Sequence, residues 1–104
     1  MSARRRLPNR RGSEQFGMSH GGLHYTVTVS RFPGSDEIAE LFIDSNKQGS
    51  AADANAKDAA IIFSIARGYG VPLEVLRRAL LRDGKGRASG PLAAALELIA
   101  DGAP

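Results

Sequence analysis

The chain has 104 residues, which is enough for one domain, and its 42% hydrophobic fraction is typical of a globular protein. It contains no cysteine, which excludes disulfides, thiolate metal ligands and thiol-based catalysis. The net charge is +3, and much of the positive charge falls in the first eleven residues, at Arg4, Arg5, Arg6, Arg10 and Arg11. No apolar segment is long enough to cross a membrane, so we expect a cytoplasmic protein without membrane contacts.

The first twelve residues differ from the rest of the chain. They show no apolar periodicity, which predicts a flexible basic arm over residues 1–12 and a single α+β domain over residues 13–104. Nucleic acid could bind such an arm through counterion release, although a basic tail is often only solvated. The hydrophobic fraction is rich in alanine and lacks tryptophan, and so thin a core favours a homo-oligomer, a dimer or higher.

Three strands are predicted first. Period-two alternation begins at Glu14, and His20-Gly21-Gly22 provides the positive-φ positions of a tight hairpin turn. Leu23–Ser30 alternates clearly between apolar and polar residues and predicts the second strand. Ile38–Asp44 predicts the third, with Phe42 directed outward, away from the core. Together they predict an antiparallel meander.

Three helices are predicted after the meander. Ser50 and Asp53 have the spacing of a capping box, and the helix that follows continues to about Arg67. Pro72 marks a second helix as far as about Arg82, and Ser89-Gly90-Pro91 opens a third. The predicted fold class is therefore α+β, a three-stranded antiparallel meander followed by three helices, in the order βββααα.

The first helix carries two apolar stripes that we expect to be buried against the sheet and the other helices. One stripe consists of Ala52, Ala56, Ala59, Phe63 and Ala66, and the other of Ile62, Ile65 and Tyr69. Asp53 and Lys57 are expected to form an i,i+4 ion pair on the opposite side of the helix.

Three stretches of this sequence have a recognisable wording. They are Ile38-Ala39-Glu40-Leu41-Phe42-Ile43, Lys47-x-Gly49-Ser50, and Tyr69-Gly70-Val71-Pro72-Leu73-Glu74-Val75-Leu76. Together they resemble the TSCPD domain, which occurs at the C-terminal end of cobalamin-dependent ribonucleotide reductases and as short free-standing bacterial and phage proteins. The Thr-Ser-Cys-Pro-Asp motif that names the family is absent. Reduction of ribonucleotides proceeds through cysteine radicals in a larger barrel, so the resemblance implies an accessory or binding module and no reductase activity.

A cluster of cations is the strongest chemical signal, at Arg77, Arg78, Arg82, Lys85 and Arg87. These residues precede the predicted helix start at Ser89 and Gly90, where free N–H groups, a hydroxyl and arginine forks would suit the phosphate of a nucleotide or cyclic nucleotide. Alternatively, the arginines lie on the solvent face of the second helix, with Glu74 partly neutralising Arg78.

A second candidate site is the polar loop before the first helix. Asn46, Lys47 and Ser50 could meet an anion at the helix start, or they could simply cap the helix. In a dimer, this loop and the cationic segment could form one pocket from different subunits.

Catalysis and metal binding find little support in the sequence. His20 and His24 lie around a turn without a third ligand, and no nucleophile and base can be paired, so we expect no enzyme, no metal and no cofactor.

Three functional hypotheses follow. The first is a non-catalytic module that binds nucleotides or cyclic nucleotides, in one version a phage-type sponge that sequesters bacterial defence signals. The second is a protein-interaction accessory domain that docks on a reductase or another enzyme through Phe42 and the outer sheet face. The third is nucleic-acid binding through the basic arm.

Overall fold

A computed structural model describes residues 13–102 of the chain. Its elements are β1 (Ser13–His20), β2 (Leu23–Arg31), β3 (Ile38–Ser45), α1 (Ala51–Gly68), α2 (Leu73–Ala79) and α3 (Pro91–Ala100). The α+β class and the βββααα order are confirmed. The predicted arm over residues 1–12, and the last two residues of the predicted domain, lie outside the described residues. In the described part, no helix combines the length and hydropathy needed to cross a bilayer.

The sheet is an antiparallel meander in the order β1-β2-β3. At its centre Val27 lies opposite Phe16 on one side and Ile43 on the other. The β1–β2 turn needs two positive φ angles, 57° at Gly21 and 80° at Gly22, which explains the two glycines there.

The core lies between one face of the sheet and the helices α1 and α3. Its largest contributions come from the alternating strand residues and from Phe63 of α1, while small alanines let the helices approach closely. The buried apolar side chains of this cluster are Met18, Tyr25, Val27, Val29, Ile38, Leu41, Ile43, Ala56, Ala60, Phe63, Leu92, Ala95 and Leu96. The first predicted stripe of α1 therefore does face the core.

Helix α1 packs beside β3 and supplies hydrogen bonds to the edge of β3 that β2 does not pair. Ser64 Oγ accepts from the N–H of Leu41 at 2.9 Å and contacts its carbonyl oxygen at 3.1 Å. The N–H of Ser45 donates to Asp53 Oδ1 at 2.9 Å, and Arg67 Nε donates to the Ile38 carbonyl at 2.7 Å. These side chains satisfy edge groups that would otherwise be buried without partners.

This arrangement corrects the prediction for Asp53. The ion pair with Lys57 exists, with 2.9 Å between Nζ and Oδ2, but the Asp53 carboxylate is buried rather than on the solvent side. The physical reason is the backbone N–H of Ser45, which needs an acceptor at this point of the edge.

The second predicted stripe of α1 is not buried. Ile62, Ile65 and Tyr69 are all exposed, Ile62 at 67%. The prediction of two buried stripes was wrong because α1 turns its alanine-rich face and its polar edge partners towards the sheet, and α3 packs on the core side.

The second helix is also shorter than predicted. It ends at Ala79, and Arg82 instead forms an isolated antiparallel bridge with Ala88. The chain between them turns back through Gly86, whose φ is 78°, so the predicted extension to Arg82 was wrong.

Candidate functional site

Of the five predicted cations, two lie on α2. Arg77 Nη1 donates to Glu74 Oε1 at 3.1 Å. Glu74 therefore neutralises Arg77, whereas the spacing in the sequence had predicted that it would neutralise Arg78. Arg78 is exposed and has no acidic partner among residues 13–102.

The other three predicted cations belong to the turn between α2 and α3, and two of them hold that turn together. Arg82 pairs with Glu97 of α3 and donates to the Gly86 carbonyl at 3.0 Å. Arg87 Nε donates to Asp83 Oδ2 at 3.0 Å. The N–H groups of Arg87 and Lys85 donate to Asp83 Oδ1 and hold the pKa of that carboxyl below its usual value. Arg82 and Arg87 therefore stabilise the turn itself, which explains both residues without a ligand.

The start of α3 is capped by Gly90 and not by the hydroxyl of Ser89. Instead, the Ser89 carbonyl oxygen lies 3.1 Å from His20 Nε2. This contact joins the end of β1 to the residue before the α3 cap, and His20 is half-buried. No signal in the sequence indicated it, because the two residues are 69 positions apart.

The predicted loop before α1 acts mainly as a cap. Ser50 Oγ accepts from the N–H of Asp53 at 3.1 Å and donates to the Lys47 carbonyl at 2.7 Å. The Asn46 N–H donates to the His24 carbonyl at 2.9 Å, while the Asn46 and Lys47 side chains are exposed. Among residues 13–102, two cavities border the predicted cationic segment, and neither is lined by a residue of this loop.

One of those cavities, of about 590 Å³, brings Arg77 together with two arginines that the sequence analysis did not select. They are Arg31, at the end of β2, and Arg67, near the end of α1. Periodicity could have drawn attention to Arg67, because it interrupts the buried side of an apolar helix.

Several large apolar side chains of α1 and β3 are exposed. We call this set the α1 apolar surface, and it consists of Phe42, Ile61, Ile62, Ile65 and Tyr69, all of which are exposed. Phe42 of β3 and Ile61 of α1 line one small cavity, and the α1 members follow at helical spacing. Only Phe42 had been predicted to point outward.

No arrangement of three or more histidine, aspartate or glutamate side chains suited to a metal ion occurs in residues 13–102. The fold and the surface thus describe a small α+β domain with an exposed apolar face and with largely paired cations.

Comparison with known proteins gives one informative relative. Over 71 residues, 68% of this chain, the sequence is 39% identical to a vitamin B12-dependent ribonucleotide reductase of Agrobacterium fabrum (strain C58). The chain spans 6% of that protein's length. The similarity is consistent with a related domain. It agrees with the earlier resemblance to a domain that occurs in cobalamin-dependent ribonucleotide reductases. No family model matches the chain, and no solved structure matches it.

Proposed function

We propose that this chain is a non-catalytic accessory domain that docks on a vitamin B12-dependent ribonucleotide reductase through the α1 apolar surface. The observation that carries the proposal is the exposure of five large apolar side chains, of which Phe42 and Ile61 border one cavity and the four on α1 and its C-cap follow helical spacing. Such surfaces on small domains mark interaction sites more often than scattered single residues do.

The energetics favour a protein partner for this surface. Fully burying a side chain of the size of isoleucine or phenylalanine contributes about 1.5–3 kcal/mol relative to leaving it in water. Lys57 and Asp44 lie beside Phe42 and Ile61, so the apolar centre has a polar rim. An apolar centre with a polar rim is the usual anatomy of a protein interface.

The choice of partner rests on the relative. There, the similar segment is a small part of a long polypeptide. We infer the same kind of partner here, whether it belongs to the same polypeptide or to another.

The test mixes this chain with the purified vitamin B12-dependent ribonucleotide reductase of the organism that encodes it and measures complex formation by sedimentation velocity. We expect a complex with the natural sequence and none with Ile62→Asp, because a carboxylate would have to be buried at the interface. Val75→Asp is the matched control, since Val75 is an exposed apolar residue on α2.

Two results would contradict the proposal. One is the absence of a complex with the natural sequence. The other is a complex that Ile62→Asp and Val75→Asp weaken to the same extent. Self-association of the chain alone that Ile62→Asp abolishes would assign the surface to a second copy instead.

A phosphate-bearing ligand is the second candidate, including the narrower hypothesis of a sponge for cyclic nucleotides. The observation that favours it is that Arg78 and Lys85 have exposed side chains without an acidic partner in the described part of the chain. We expect a nucleotide-induced rise in Tm that Arg78→Ala with Lys85→Ala removes. Loss of the effect on deletion of residues 1–12 would favour nucleic-acid binding instead.

A further inference from the structure

The cavity that contains Arg77 has the composition of a ligand site. Its volume of about 590 Å³ lies in the range of small-molecule pockets. Its apolar lining comes from β3, from α2 with its cap residue, and from α3, and consists of Ile38, Pro72, Leu73, Leu96, Ile99 and Ala100. Three guanidinium groups, of Arg31, Arg67 and Arg77, border the same space, which we call the arginine cavity. It shares no residue with the α1 apolar surface.

Arg67 is the least ordinary of the three, because its side chain is only 7% exposed. Nε donates to the Ile38 carbonyl at 2.7 Å, and Nη1 donates to the Val71 carbonyl at 2.9 Å. Nη2 lies 3.8 Å from Glu37 Oε1, which is beyond hydrogen-bond distance. A buried cation is thus rigidly held on one side and only loosely neutralised on the other.

The other two arginines are held by exposed carboxylates. Arg77 pairs with Glu74 at 3.1 Å, and Arg31 lies 3.6 Å from Glu14. Exposed ion pairs of this kind contribute about 0–1 kcal/mol, so an incoming anion can displace them at little cost.

We propose that the arginine cavity binds a small organic oxyanion, a carboxylate or a phosphate, that carries an aromatic or apolar group. The oxyanion takes the place of Glu37 at Arg67 Nη2 and is completed by Arg77, since guanidinium forks match both carboxylate and phosphate. The apolar group lies against Leu73, Leu96 and Ile99. Because Asp36, Glu37 and Glu74 also border the cavity, an inorganic anion gains little there without the apolar contact.

This inference is independent of docking on a reductase. It also differs from the predicted site at residues 77–90, in which Arg82 and Arg87 are paired with Glu97 and Asp83. Arg77 is common to the predicted segment and to the arginine cavity, whereas its neighbour Arg78 does not border the cavity.

The experiment follows methyl and arginine Nε–Hε signals by NMR while the full chain is titrated with adenosine 5′-monophosphate, phenylacetate, adenosine or inorganic phosphate. We expect either or both of the first two to shift Arg67 and the methyl groups of Leu73, Leu96 and Ile99. Arg77→Ala is expected to weaken this binding by about tenfold or more, the effect of one lost charge-assisted hydrogen bond, and Arg78→Ala to leave it unchanged. Which of the two ligands binds more tightly distinguishes a phosphate from a carboxylate ligand.

The proposal is overturned if neither aromatic anion shifts these signals at millimolar concentration. It is equally overturned if Arg77→Ala and Arg78→Ala weaken binding alike, or if inorganic phosphate binds as tightly as the aromatic anions. Both variants change exposed or half-exposed residues of the same short helix, so we expect both to fold. The NMR spectra used to follow binding would reveal directly any variant that does not fold.

Discussion

Asp53 shows how one residue can connect three parts of this fold. Its backbone N–H donates to the cap residue Ser50, its Oδ1 accepts from the edge strand at Ser45, and its Oδ2 pairs with Lys57. The hydrogen bond from Lys57, followed by that from Ser45, holds the pKa of the Asp53 carboxyl below its ordinary value of 3.8. The same contact raises the pKa of Lys57. The folded state therefore favours the charged form of both groups.

This carboxylate predicts a specific dependence of stability on pH. A pKa that is lower in the folded state than the ordinary 3.8 contributes stability above that value and loses it as the pH falls through the folded pKa. We expect Asp53→Asn to lower Tm at pH 7 and to have a smaller effect as the pH is lowered towards 2, because acid increasingly protonates the natural carboxyl. Thermal unfolding across this pH range measures the difference.

Asp58→Asn is the control for that prediction, since Asp58 is an exposed carboxylate on the same helix. An Asp53→Asn effect that is the same at pH 2 and pH 7 would show that the loss arises from packing rather than from charge.

At the scale of elements, the two sides of α1 have different roles, one in the core and the other at the surface. Towards the sheet it provides alanines, Phe63 and polar partners for β3, and towards solvent it presents the α1 apolar surface. Neighbouring residues of α1 therefore contribute very differently to the free energy of unfolding. Ile62 is 67% exposed, whereas Phe63 is 2% exposed.

A pair of neighbouring substitutions tests this division of α1. Phe63→Ala is expected to lower the free energy of unfolding by about 3–5 kcal/mol, because it leaves a cavity in the core. Ile62→Ala is expected to change it by no more than about 0.5 kcal/mol. Urea denaturation of both variants measures the two values, and a large loss for Ile62→Ala would mean that this side of α1 is covered in solution.

The hydrogen bonds from α1 to β3 allow a second test at this scale. Ser64→Ala leaves the buried N–H of Leu41 without its acceptor, and the expected cost is about 1–3 kcal/mol in the free energy of unfolding. Hydrogen exchange of the Leu41 amide should become faster. Asn55→Ala, a change at an exposed position of α1, is the control. Equal exchange rates of the Leu41 amide in Ser64→Ala and Asn55→Ala would contradict this role of Ser64.

At the scale of the whole molecule, the sequence predicted the elements far better than their contacts. Strand alternation and the Ser50 cap are local patterns, so the order βββααα could be predicted from neighbouring residues alone. The burial of Asp53 could not, because it depends on which helix packs beside β3. The arginine cavity was missed for the same reason, since β2, α1 and α2 each contribute one arginine to it.

The pairing of α1 with β3 also limits how copies of this protein can associate through their backbones. Fibrous assemblies grow by repeated strand addition, which requires every new copy to offer a fresh, unpaired strand at the growing end. Here a copy added beside β1 would turn its own β3 outward, where Asp53, Ser64 and Arg67 already bind backbone groups of Ser45, Leu41 and Ile38. These contacts oppose further strand addition, so α1 protects the folded chain against amyloid-like growth.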